Sequence, residues 1–225
     1  MTIIMSGCMY QSEAEQENTV SYRESVKRIQ SAVDDFYKEQ SILPIITADE
    51  QVPRYEKYRI DLNKLNKMGY IDEIPKTAFE NGGDGYFLII NEEEDPSVKV
   101  MDLNTQQKVN EVQMSVNRYK TANNGELPKG TELYPDFSTV DLAKTDAKNV
   151  KLKSVFSGQE VTFMMDNNGI VYIDYAFDIM QAIQKEESEP TKDEDLRIYL
   201  EHASYFVPVK SVPYSWQDNQ PVAKL

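Results

Sequence analysis

Few side chains in this sequence could do chemistry, and the scarcest are Cys8 and His202, each the single residue of its type. One cysteine allows no intrachain disulfide and no multi-cysteine metal or redox centre. One histidine rules out two-histidine zinc sites, including the H-E-x-x-H hydrolases. His202 lies in Glu201-His202-Ala203-Ser204, near the end of a helical stretch whose dipole favours an imidazolium. A histidine base needs a nucleophile and an orienting acid. No motif supplies either, so His202 reads as a structural or surface residue.

Acids are plentiful, at 38, so close carboxylate pairs arise by chance, and Asp72-Glu73 and Asp141 carry no distinguishing context. Two clusters could offer hard oxygen ligands to calcium: Glu92-Glu93-Glu94-Asp95 and Asp166-Asn167-Asn168-Gly169. The second has Phe177 where a twelve-residue calcium loop needs an acid, and Asn-Gly between two apolar runs predicts a hairpin. The first reads as a solvated run that keeps a strand edge from pairing with other chains. Asn81-Gly82-Gly83-Asp84-Gly85 leads into a strand, whereas a phosphate cradle needs a helix N-terminus. There is no Walker A, Rossmann or nucleophile-elbow motif. The expectation is therefore no catalytic residue, no cofactor-binding residue and no metal ligand set.

Composition narrows the partners. The 225 residues carry a net charge of −14 and are 40 % apolar, a globular balance with a surface that repels polyanions. Nucleic acid is excluded as a main partner on that ground. Fourteen tyrosines suit half-buried or partner-facing positions. Tyr199, Tyr205, Phe206, Tyr214 and Trp216 gather near the C-terminus, either to pin the tail onto the body or to contact a partner.

The elements that would position these residues repeat. Tyr22, Val26, Ile29, Val33 and Phe36 trace one helix face, and Val109, Val112, Val116 and Tyr119 trace another. The last four of the first set lie 83 residues before the second set. Leu43-Pro44 follows the first helix and Leu127-Pro128 the second; each unit then reaches a pair of strands, near 86–90 and 97–101 and near 159–165 and 170–175. The fold class is thus α+β, a tandem duplication of a long helix followed by a small antiparallel sheet, over 21–104 and 105–186. Residues 1–20 read as a signal remnant and polar tether. Phe177, Met180 and Ile183 mark a short helix, and 187–225 a helix from Asp193 to Ala203 and a proline-interrupted extended tail. Asn124-Gly125-Glu126-Leu127-Pro128 resembles the stretch of type IV pilins and pseudopilins where a helix meets its sheet, which implies a shape and no filament function.

Met5-Ser6-Gly7-Cys8 is an apolar residue, two small residues and a cysteine, followed by the acidic stretch Gln11 to Asn18. This arrangement resembles the lipobox of bacterial, Gram-positive-type surface lipoproteins of unassigned function. The resemblance implies lipidation at Cys8, a signal whose basic end lies upstream, and anchorage on the extracytoplasmic face of the cell membrane. Stable anchoring takes about two acyl chains, each contributing ~0.8 kcal/mol per buried CH₂. The expected function is a non-catalytic binding or assembly module that engages another protein or an envelope component. The alternative is a carboxylate-dependent hydrolase of cell-wall or other glycans, which needs two acids in one cleft with separated pKa values.

Overall fold

A computed structural model describes residues 13–46, 49–186, 190–191 and 194–225, with side chains from Ser21 onward. Cys8, the lipobox-like stretch and the charged break at 187–189 lie outside the described residues. The chain runs through α1 (Glu13–Gln40), α2 (Arg54–Lys57), α3 (Leu62–Lys67), β1 (Gly85–Ile90), β2 (Ser97–Asp102), α4 (Leu103–Ala122), β3 (Lys129–Tyr134) and β4 (Phe137–Val140). It continues through β5 (Thr162–Asp166), β6 (Val171–Asp174), α5 (Ala176–Glu186), α6 (Ile198–Ala203), β7 (Tyr214–Gln217) and β8 (Gln220–Ala223).

The architecture is α+β and built by duplication. In the first unit α1 packs on the β1–β2 hairpin; in the second α4 packs on β6 at the edge of the sheet β3-β4-β5-β6. The stripe Val26, Ile29, Val33 and Phe36 is buried, and so is its counterpart Val109, Val112 and Val116. The two units also pair their backbones alike. Ile45 bridges Ile60 and Arg59 bridges Leu88, as Lys129 pairs with Val140 and Thr139 with Met164. After each Leu-Pro, the proline carbonyl accepts from an aspartate N–H: Asp61 to Pro44 and Asp141 to Pro128, both at 2.8 Å. Each aspartate then caps the short turn that follows it, accepting from Lys64 N–H or Ala143 N–H.

One side chain fixes the helix to the hairpin in both units. Gln30 Oε1 accepts from Val98 N–H at 2.7 Å, while its amide donates to Pro96 O at 3.0 Å. Gln113, 83 positions later, accepts from Val171 N–H and donates to Gly169 O, both at 2.8 Å. A carboxamide suits this place because it carries a donor and an acceptor side by side, matching the free N–H and C=O of an outer strand.

The second hairpin turns where Asn-Gly predicts. Asp166 Oδ1 accepts from Asn168 N–H and Ile170 N–H, and Gly169 sits at φ 87°. A Cβ on Gly169 would meet Leu127 Cδ2 at 2.6 Å, so the glycine also makes room for the Leu-Pro corner.

The two ends of the chain depart from expectation in three ways. First, α1 begins at Glu13, inside the stretch expected to be a tether, since Glu, Ala and Gln favour helix. Second, the expected helix over 193–203 shortens to α6, because Leu196 N–H instead donates to Tyr214 O. Third, the proline-interrupted tail carries paired strands. Val207 and Val209 are buried, and β7 and β8 form a hairpin through Asp218 and Asn219 at φ 47° and 61°. With α5 packed on β8, helix followed by hairpin recurs a third time in shortened form.

Residues 205–210 join the units. Val100 N–H donates to Tyr205 O at 2.8 Å and Val207 N–H to Val100 O at 3.0 Å, adding a short parallel strand to β2. Ile173 N–H then donates to Lys210 O, so the same segment reaches β6.

Gln30→Ala or Gln113→Ala leaves one N–H and one carbonyl of a hairpin without a side-chain partner. Each change should cost about 1–3 kcal/mol. In a chain of this size that corresponds to a Tm lower by roughly 2–4 °C per kcal/mol, read by calorimetry.

Candidate functional site

Among the described residues two buried clusters of ionisable groups stand out, and the second holds a carboxylate oxygen without a hydrogen-bond partner. The first joins the first unit to α6. Glu201, 3 % exposed, accepts from Tyr55 OH at 2.6 Å and pairs with Arg54 at 3.2 Å. Lys99 Nζ donates to the carbonyls of Glu201 and Ser204 at 2.5 and 2.8 Å, where the C-terminal end of α6 favours a cation. Arg197 lies over the Tyr55 ring and binds Asp195. Burial pushes the Tyr55 phenol well above its usual range and lowers Lys99. Each acid has a cationic partner and Lys99 is held by two carbonyls, so the cluster acts as a polar rivet.

The second centres on Asp178, in the first turn of α5. It lines a cleft of about 210 Å³ between α5, α6 and the loop carrying Val155 and Phe156. Ala182, Leu200 and Ala203 supply apolar wall, Tyr205 and Phe206 an aromatic side, and Gln181 and Lys185 polar edges. A second cleft of about 240 Å³, holding Ser154, Ser157, Asp174 and Phe177, meets the first at Asp178. Asp178 is 4 % exposed, and among the described residues its Oδ1 has no hydrogen-bond partner.

Burial raises the Asp178 carboxyl above the usual aspartate range, and the charge of Asp174 adds to this. The hydroxyls of Ser157 and Ser154 act in the opposite sense. Asp174 differs: its carboxylate accepts from Tyr134 OH, Tyr214 OH and Ala176 N–H. Two acids flank the site, but one is fully engaged. An acid–base pair for glycan hydrolysis needs both free to exchange protons at roughly 5–9 Å. The arrangement suits holding a hydrogen-bond donor or cation.

The five aromatic residues divide between the two expected roles. Tyr199 and Tyr214, 4 % and 0 % exposed, are core residues that pin the chain to the body, which corrects the partner-contact alternative for both. Tyr214 OH reaches Asp174, and Tyr199 OH reaches Glu194. Trp216 is half-buried against the same core. Tyr205 and Phe206 line the cleft, and Phe206 also stands edge-on to Tyr22, 5.0 Å between ring centres. The α5 stripe is also corrected: Phe177 is 56 % exposed, and Asp178, Ile179, Ala182 and Ile183 face inward. His202 is exposed, 3.4 Å from Glu186. Among the described residues no group of three or more His, Cys, Asp or Glu is placed to hold a metal. No described helix is long and apolar enough to cross a membrane.

Residues 22–102 match the N-terminal domain of the YphF family. The match starts at Tyr22, in the buried stripe of α1, and ends at Asp102, the cap of α4, so it takes in the first structural unit alone. No curated protein and no solved structure matches the chain.

Two variants test these assignments. Tyr55→Phe removes the donor to a buried carboxylate and should cost about 1.5–3 kcal/mol in denaturant unfolding. Asp178 behaves oppositely. Its raised folded pKa means the folded protein holds the proton more tightly than the unfolded chain, so its contribution to stability falls as pH rises through that value. Asp178→Asn should therefore melt higher than the parent at about pH 7, and the gap should close near pH 3, below the unfolded aspartate value of about 3.9.

Proposed function

We propose that the protein is a non-catalytic binding module held on the outer face of the cell membrane by acyl chains on Cys8, where it engages another protein or an envelope component. The observation that carries the binding role is the cleft at Asp178, with apolar and aromatic walls and one buried acceptor left unused. Small-ligand sites have this character, mostly apolar with a few placed polar groups. The engagement of Asp174 by two tyrosines favours binding over acid–base hydrolysis. The location rests on Met5-Ser6-Gly7-Cys8. From Glu13 the chain is helical into the first unit, so a lipid on Cys8 would hold the body close to the membrane surface.

Expressed from its native genomic context, the protein should fractionate with membranes and show the intact mass of a diacylated form beginning at Cys8. Cys8→Ser should lose both properties. An unacylated soluble protein would overturn the location. Turnover of cell-wall glycan that disappears in Asp178→Asn would overturn the non-catalytic role.

A further inference from the structure

The Asp178 cleft has a defined chemical preference, and this inference rests on the binding role above. We propose that it takes an alkylammonium group: a cationic nitrogen against Asp178, on an apolar stem lying between α5 and α6. Four features converge on that class. Asp178 lines the cleft at 4 % exposure and its Oδ1 has no partner among the described residues, so a ligand donor that reaches this buried oxygen completes an existing deficit. Leaving such an acceptor unsatisfied costs free energy that a donor recovers on binding. The wall residues Ala182, Leu200 and Ala203 offer no competing polar side chain to a hydrocarbon stem. Phe156, Tyr205 and Phe206 present aromatic surface, which attracts a cation near the ring faces. The chain's charge of −14 raises the local concentration of cations and disfavours anionic ligands.

The dimensions fit one head group and a short stem. Asp178 and Lys185 are seven residues apart in α5, two turns or roughly 10 Å of helix, with Gln181 and Ala182 between them. Lys185 at the far edge repels a second positive charge, so a monoamine is preferred to a diamine of similar length. A cleft of about 210 Å³ is smaller than typical drug-sized sites of about 300–1,000 Å³. It holds a single side-chain-sized group.

The experiment is calorimetric titration of the full chain at about pH 7.5 with n-hexylammonium, n-hexanol, hexanoate and 1,6-diaminohexane. The expected result is saturable one-to-one binding of n-hexylammonium, at least tenfold tighter than n-hexanol or the diamine, with no binding of hexanoate. Asp178→Asn should weaken the amine at least tenfold and leave n-hexanol unchanged. Ala203→Trp, which fills an exposed part of the wall without touching Asp178, should abolish the amine and n-hexanol alike. Equal affinity for amine and alcohol would overturn the ammonium preference while leaving an apolar binding cleft. Amine binding unchanged in both variants would mean nonspecific attraction to an acidic surface and would overturn the site. No binding of any hexyl probe would overturn both the inference and the cleft's role in the binding function.

Discussion

The short parallel pairing between Val100 and residues 205–207 holds the rest of the molecule in place. An outer strand with free N–H and C=O groups invites any extended chain, and β2 meets this by binding a segment of its own polypeptide. Two hydrogen bonds have consequences well beyond their own free energy. They fix where α6 ends, which brings Glu201 beneath Arg54 and Tyr55 and sets its carbonyls against Lys99. They also turn Phe206 between Tyr22 of α1 and the cleft. The polar rivet and the cleft wall thus share one origin.

The same pairing explains why β1 is an unbroken apolar run. Phe87 and Ile89 pack toward α1, while Leu88 and Ile90 pack with Tyr55, Met101, Val207 and Val209. A strand covered on both faces loses the polar alternation of a half-exposed one. The C-terminal segment supplies the second cover. Gln30 and Gln113 then set the register of helix on hairpin, because each amide matches one N–H and one carbonyl of the adjoining backbone. Apolar stripes alone could slide; a bidentate amide cannot without leaving both groups unpaired.

What was legible in the sequence follows from the range of the forces involved. Helix stripes at 83-residue spacing, the Leu-Pro corners and the Asn-Gly hairpin are local patterns, and the duplication follows from them. The Gln30 and Gln113 pair lay in the same register, but a glutamine among acids and lysines reads as solvated until the strand beside it is known. β3, as Lys129-Gly130-Thr131-Glu132, has little apolar alternation because it is an exposed outer strand, so only its pairing with β4 marks it. Asp218-Asn219 could have announced β7 and β8, since both residues tolerate positive φ. The prolines at 208, 213 and 221 masked that signal.

Asp178 was the least legible residue, and its environment is the most informative. A single acid in a helix is expected to point outward, and Phe177 beside it is the natural candidate for the core; the structure reverses the pair. The reversal places a titratable group where burial works against its charge and an aromatic ring where it gains little from burial. If the position served only to tie the loop at Ser154–Ser157 to α5, asparagine would make similar hydrogen bonds without a charge to bury. A carboxyl with one oxygen unused is costly to the free protein and useful to a bound cation. The aromatic wall at Tyr205 and Phe206 is held by backbone pairing to another unit, so the site is arranged before any ligand arrives. Such preorganisation would lower the ordering cost of the proposed binding, and the Tyr205–Phe206 side of the cleft comes from the joining segment rather than from either duplicated unit.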